Sequence, residues 1–532
     1  MAVNTITAAQ LRGAGILNGF IVPAVGQFDP DAQAFITAAS ITDPTQQSAI
    51  NTLVVDLKGY NIWTKFKAIY PIVGGVASSH AVNLKTPGTF NLSFATGVTH
   101  SANGMVSNGS TGYADTNFTP STNGMLLNSA HLSFYSRTDL NTYQVEMGNW
   151  DNSASTLLLI RQSGNGSVRM NNGAGLVNFA NANAQGFYLS NRTASNVIKA
   201  FKNGTSQVTS TLTSNSLPTN KIALLAFNNN GSIEYYSTKQ CAFSSIGDGL
   251  TDTDAANFYT AVQAYQTTLS RQVGVPIVSD SDAQAFLNAA VIEDVTQANA
   301  INDLVIGMKA DGLWTKMKAI YPIVGGSASS HKYNLKDPRD LDEAFRLTFS
   351  SGWTHSSTGM TPANAYANTS LIESSVLTFN NIHLSIYSRT NSDGNFCDLG
   401  SIKGFGFNNV LSGVFPKNSN MFIPRINDEN AGISNTISSL GHFISNRISS
   451  TELRSRQNGV LKQITVNSVI NSQITRSYYI GALNGEGYGL GPLGYSDRQI
   501  AFASIGDGLT DTEAANFYTL VNTYQTALSR NV

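Results

Sequence analysis

The apolar positions of this chain change period within each half. Ile50, Leu53, Val54 and Leu57 recur at i, i+3, i+4 and i+7, the stripe of one helix face, and Ile301, Leu304, Val305 and Met308 repeat it. Asp43-Pro44 with Gln46 three residues on, and Asp294 with Gln297, predict where these helices start. Asp29-Pro30 and Asp280 predict shorter helices running through Phe35 and Phe286. Trp63, Phe66 and Ile69 continue at spacing three, so the helical run is expected to reach Pro71 and stop at Gly74-Gly75.

Beyond Gly75 the period becomes two. The strands predicted for the first half are Phe90–Phe94, Ala130–Arg137, Leu157–Arg161, Ser195–Lys202, Gln207–Leu212, Ile222–Phe227 and Gln240–Ile246. Those of the second half are Phe345–Phe349, Ile382–Arg389, Glu452–Arg456, Gln463–Asn467, Ser477–Leu483 and Gln499–Ile505. Asn203-Gly204 and Asn458-Gly459 are hairpin turn signals at matching places. Each half then closes on an amphipathic helix, within Ile246–Arg271 and Ile505–Arg530, with Thr251/Asp254 and Thr510/Glu513 as capping boxes. Asp248, Asp252 and Asp254 lack the glycine and terminal Glu of a calcium loop, so capping is the expected use of these acids.

The halves are one unit written twice. WTKFKAIYPIVGG (Trp63–Gly75) returns as WTKMKAIYPIVGG (Trp314–Gly326), differing only at Phe66 and Met317. The expected division is an arm over 1–26, a first repeat over 27–273 and a second over 274–532, each repeat large enough for its own core. The arm alternates small and apolar residues without the basic start of a secretion signal, and is read as a docking peptide.

Composition narrows the function classes. Net charge is −1 with 12% charged residues, against a nucleic-acid partner and against electrostatic docking to a membrane. No apolar run is long enough to span a bilayer. Cys241 and Cys397 sit at non-equivalent places, so buried inert thiols are expected rather than a disulfide or a metal site. Six of the seven histidines fall in matching pairs, His80/His331, His100/His355 and His131/His383, none with metal spacing, and no cofactor is implied.

The closing pattern carries a family resemblance. IALLAF or YYIGAL precedes a Gly/Asn loop, then KQCAFSSIG or RQIAFASIG, Leu-Thr and a helix with Phe-Tyr. This resembles the end of a concanavalin A-like lectin/glucanase (laminin-G-like) sandwich. The prefix, with its Leu-Lys, Trp-Thr-Lys and Ala-Ile-Tyr, is similar to the lead-in to such sandwiches in bacteriophage fibre and virion proteins. The resemblance covers nearly all of residues 28–532. It implies a mainly β chain of two tandem concanavalin A-like jelly-roll sandwiches, each with a short helical prefix and a closing helix. It also implies a non-enzymatic virion structural protein (fibre, spike or capsid decoration) on the particle's outer surface. Such a protein would be a homo-oligomer, with trimers usual among fibres and spikes. It would join other virion proteins through its arm and turn its sandwiches toward host-surface glycans. The alternatives are a bacterial surface lectin or adhesin and a glycan hydrolase.

A glucanase of this fold needs two carboxylates on one strand face. Glu146 and Asp151 have the wrong parity, and the matching region of the second half reads Cys397-Asp398-Leu399-Gly400, so no catalytic pair is expected. The sharper site is AHLSFYSR, where Leu132 and Phe134 alternate with His131, Ser133, Tyr135 and Arg137; IHLSIYSR repeats it with His383, Ser385, Tyr387 and Arg389. On the concave sheet of a lectin-like fold this polar face would stack Tyr on a sugar and bond its hydroxyls. The other reading is a solvated or inter-domain sheet face. The halves differ most over 140–235 against 392–490, where loops such as Asn149-Trp150 and Asn484–Tyr488 are expected to form recognition rims.

Overall fold

Each half is a β-sandwich with a helical layer laid over one of its sheets. The computed structural model describes residues 28–173, 175–403, 410–428, 434–466, 472–486 and 491–532, and the proposed arm lies outside them. The chain divides between Arg271 and Gln272 into two compact units. Among the described residues each unit carries an eight-stranded and a nine-stranded sheet, with nearly all strand pairs antiparallel.

In the first unit the eight-stranded sheet runs Thr205–Ser210, Val197–Lys202, Gly186–Ala194, Ala130–Ser136, Cys241–Gly247, Gly104–Ser107, Val98–Ser101, with Phe66–Tyr70 beside Cys241–Gly247. Leu132, Phe134, Leu158, Ile160, Val168 and Met170 fill the space between the two sheets. The second unit repeats this order around Ile382–Ser388, Gly441–Arg447 and Ile500–Gly506, with Leu384, Ile386, Val414 and Phe443 between its sheets. A further apolar layer joins the helices to the outer face of this sheet, where Phe286, Ile301 and Phe517 meet Tyr387 and Phe502.

The predicted caps form. Asp43 and Asp294 each accept from the amide three residues on, at 2.8 Å, and Thr251/Asp254 and Thr510/Glu513 make reciprocal capping boxes. Asp248, Asp252 and Asp254 are tied to Lys67, Lys199 and Lys65. Both Asn-Gly turns take positive φ at both residues, about 50° and 75°, as a two-residue hairpin requires.

One predicted helix is corrected. The long helix ends at Gly59, Asn61 turns left-handed, and after a single turn at Trp63–Lys65 the residues Phe66–Tyr70 form a strand. Spacing three through Trp63, Phe66 and Ile69 coincided with a strand that is buried on both faces. Such strands lose their alternation. For the same reason Gly186–Ala194 and Gly441–Arg447, central and wholly or almost wholly buried, gave no period-two signal. Asn149-Trp150 is part of strand Met147–Trp150 rather than a rim loop, and Asn149 is buried, bonding Thr156 and the Asn220 carbonyl. Asn484 is likewise buried, and Tyr488 lies outside the described residues.

Two buried polar devices recur. At the end of each closing helix an arginine is fully enclosed. Arg271 donates Nε to Gln266 Oε1 (2.6 Å), Nη1 to the Ile72 and Ala102 carbonyls (2.6 and 3.2 Å), and Nη2 to those of Pro71 and Ala242 (2.8 and 3.0 Å). All five guanidinium donors are used. Arg530 repeats this with Gln525, Ile323, Ser357, Pro322 and Ala501. Ile72 and Ile323 hold φ at 46° and 49°, rare for β-branched residues, and the arginine grips both carbonyls. The second device is an ion pair: Lys239 to Glu146 (2.8 Å) in the first unit and Arg498 to Asp398 (2.9 Å) in the second, all four side chains fully buried. Ser237 and Ser496 complete the pairs at 2.9 and 2.7 Å. The shorter acid faces the longer base, so the span is kept. Cys241 and Cys397 are buried free thiols, and burial raises their pKa. Among the described residues no helix is long and apolar enough to cross a membrane.

Arg530→Lys offers three donors where five are used and is expected to destabilise the second unit by on the order of 3 kcal/mol in urea unfolding. Lys239→Ala, which strands the Glu146 carboxylate, should cost the first unit about 3–5 kcal/mol. The joint change Glu146→Asp with Lys239→Arg copies the second unit's pair and should stay within about 1.5 kcal/mol of the parent. A joint variant as unstable as Lys239→Ala would refute the equivalence of the pairs.

Candidate functional site

The alternation in AHLSFYSR is present, but its polar face does not meet solvent. His131, Ser133 and Tyr135 are fully buried, as are His383, Ser385 and Tyr387, because the closing helix lies across them. His131 Nδ1 sits 2.6 Å from the Asp248 carbonyl, which can only accept, so that nitrogen carries the proton. Nε2 then accepts from Ser245 Oγ at 3.0 Å, and Ser133 donates to Ser245 at 2.7 Å. His383, Ser504 and Ser385 repeat the chain, with Asp507 supplying the carbonyl. A Cβ on Gly247 would lie 2.4 Å from the His131 ring, which is why the facing residue is glycine there. Tyr135 donates to Gln263 Oε1 at 2.8 Å, and Tyr387 accepts from the Val532 amide. Arg137 and Arg389, partly buried, bond the Arg271 and Arg530 carbonyls. The histidines, tyrosines and arginines of this row fasten the closing helix and the turns flanking it to the sheet, and Ser133 and Ser385 tie neighbouring strands beneath it. The expected sugar-binding face is corrected to an internal seam, because the helical prefix and closing helix cover the sheet a lectin would leave open.

The matched histidines pair within each unit. His80 Nδ1 lies 3.0 Å from His100 Nδ1, and His331 lies 2.9 Å from His355. Two neutral rings share one proton at that distance. Burial, then the neighbouring histidine and arginine, push His80 and His331 down to about 3. Among the described residues no three histidine, cysteine or acidic side chains are grouped as a metal would need. The acids weighed for hydrolysis are engaged elsewhere: Glu146 and Asp398 in the buried ion pairs, and Asp151 on the Ser153, Ala154 and Thr219 amides.

An open site lies where the two units differ. In the second unit the hairpin of Glu452–Gln457 and Val460–Val466 and the strand Ser434–Asn435 border a cleft of about 690 Å³. Asn420, Asn435, Gln457 and Asn458 line it with amides, and Thr436 adds a hydroxyl. Ile437, 92% exposed, and Val460 form an apolar rim, with Lys462 beside them. Asn458 Oδ1 accepts from the His442 amide at 2.8 Å, which fixes the ring of donors from one side. Asn420 and Asn435 are exposed and Asn458 is half-buried.

Strand register gives the first-unit counterparts: Gly164, Ala180, Asn181 and Ala182 for Asn420, Asn435, Thr436 and Ile437, and Lys202, Asn203, Thr205 and Gln207 for Gln457, Asn458, Val460 and Lys462. There Lys202 reaches across to Asn181 Oδ1 (2.8 Å) and the Asn183 carbonyl (2.5 Å). Gln457 spans the same gap without a charge: Nε2 donates to the Ser438 carbonyl at 3.0 Å and Oε1 accepts from Thr436 Oγ1 at 3.1 Å. The bridge is kept with an amide in place of the ammonium, and Gly164 and Ala180 give way to Asn420 and Asn435. These residues fall inside the divergent stretch 392–490, so the sequence signal for the site was divergence between copies.

No family model matches the chain, and no curated protein does. Solved structures that are similar to it include the IT-sialidase CBM40 of Ruminococcus gnavus bound to alpha2,6 sialyllactose, 14% identical, covering 26% of this chain and 91% of that one with a TM-score of 0.22. Domain 4 of the GH43 extracellular arabinanase AbnA from Geobacillus stearothermophilus is 11% identical, covering 38% and 98%, TM-score 0.23. The botulinum neurotoxin serotype G binding domain is 13% identical, covering 39% and 51%, TM-score 0.26. At these scores the likenesses carry no argument about ligand or activity.

The buried histidines make acid lability testable. Burial holds His131 and His383 at about 4, below the ordinary 6.5 of an unfolded chain. The folded state therefore binds fewer protons than the unfolded one between those values. Their stabilisation is complete above about pH 6.5 and is lost as pH falls toward 4. The denaturant midpoint should drop from pH 7 to pH 5, and His131→Asn with His383→Asn should flatten that slope. A midpoint independent of pH over this window would contradict the assigned neutral rings.

Proposed function

We propose that this chain is a non-enzymatic virion surface protein whose second sandwich binds a host-surface glycan in the cleft around Asn435 and Asn458. The observation that carries the glycan part is the amide-lined cleft of the second unit. Where the first unit has Gly164, Ala180 and a bridging Lys202, the second has Asn420, Asn435 and a bridging Gln457, so the lining becomes a set of uncharged amides. Hydroxyl-rich ligands need many donors and acceptors with little charge, and Asn and Gln supply both from one side chain. The volume suits one or two sugar rings, since small-molecule sites span roughly 300–1,000 Å³. Ile437 and Val460 offer apolar contact for a ring face.

The non-enzymatic part is supported by the lining, which has no carboxylate among the described residues. The virion part rests on the resemblance of the Trp-Thr-Lys…Ala-Ile-Tyr prefix and the closing pattern to phage fibre proteins. The arm over 1–26 would be its anchor, and trimeric assembly its usual setting.

Asn420→Gly with Asn435→Ala copies the lining of the first unit and should reduce binding of the full chain to host cells and to a glycan array at least tenfold, with the unfolding midpoint unchanged. Undiminished binding would move the site elsewhere, and absence of any glycan binding by the parent chain would end this reading.

A further inference from the structure

The two units place one lysine differently here: the first has it at Lys202, in the bridge, and the second has Gln457 at that position. Lys462 stands where the first unit has Gln207, and among the described residues it makes no ion pair. Other charges nearby are offset. Asp393 accepts from the Asn420 amide at 3.1 Å and faces Lys417 at 3.8 Å, and Lys417 donates to the Ile437 carbonyl at 3.2 Å. Arg456, on the neighbouring strand, is bound to Asp511. The lining therefore presents one uncompensated ammonium and no carboxylate. A neutral sugar would leave that ammonium at the mouth unused. An anionic group would sit between it and amide N–H donors such as Asn458 Nδ2, and hydrogen bonds to charged groups are about twice as strong as neutral ones.

We propose that the ligand of this cleft is an anionic glycan, with Lys462 as its ionic anchor and the amides of Asn435 and Asn458 bonding the ring. This rests on the glycan-binding reading above and narrows its ligand class. The first unit, with Gln207 and its Lys202 bridge, does not share the site.

The test is an array carrying neutral glycans beside carboxylated and sulfated counterparts, probed with the full chain and with Lys462→Gln and Lys462→Arg. Lys462 is exposed, and Lys462→Gln copies the first unit's residue, so both variants should fold. The parent is expected to prefer one anionic class by about tenfold, and the two anionic arms identify which. Lys462→Gln should abolish that preference while leaving neutral binding intact, and Lys462→Arg should retain it. Raising salt from 50 to 500 mM should weaken the preference, because screening lengths shrink over that range. Equal binding of neutral and anionic glycans, or a preference untouched by Lys462→Gln, overturns the proposal while the glycan-binding reading stands. Failure to bind any glycan overturns both.

Discussion

A fully enclosed guanidinium with no counter-ion among its hydrogen-bond partners is the constraint on which each unit depends. Arg271 and Arg530 place all five donors on carbonyls and one glutamine. Those acceptors come from three distant places: the strained turn after the prefix strand, a turn at Ala102 or Ser357, and the last strand. A buried charge is tolerated only when its hydrogen bonds are complete, so these segments must arrive together. The near-invariance of Trp63–Gly75 between copies follows, because its backbone supplies two of the acceptors and its side chains meet the closing helix, as Phe66 meets Phe258. The prefix is thus part of the sandwich rather than a leader to it.

That arrangement decides where recognition can occur. The eight-stranded sheet has one face on the inter-sheet core and the other under helices, so its His-Ser-Tyr row became a hydrogen-bonded seam. Binding chemistry is left to edges and turns. The cleft of the second unit lies at such a place, beside the last hairpin of the sheet, where side chains change without disturbing either packed face.

Much of the fold was legible because local signals agreed with it. Asp and Thr caps, Asn-Gly turns and the stripes of Pro44–Gly59 and Val295–Ala310 stood where the sequence placed them. The strand Phe66–Tyr70 and the central strands Gly186–Ala194 and Gly441–Arg447 were not legible, since burial on both faces erases alternation. The site was legible only in outline. Alternation identified the polar face of Ala130–Ser136 but could not say what covers it, because the cover comes from the prefix and the closing helix, both distant along the chain. The cleft needed strand register: Lys202 and Gln457 are unremarkable in sequence and acquire meaning only when the same neighbours are seen around both.

The two buried ion pairs, Glu146–Lys239 and Asp398–Arg498, bear on the history of the chain as well as its stability. Duplicated segments within one gene invite recombination between the copies. A crossover falling between the acid and its base would join Glu to Arg or Asp to Lys, making the enclosed span too long or too short. Such hybrids would carry a misfitted charge in the core of one sandwich. The exchanged chain lengths therefore make each buried acid fit only the base of its own half.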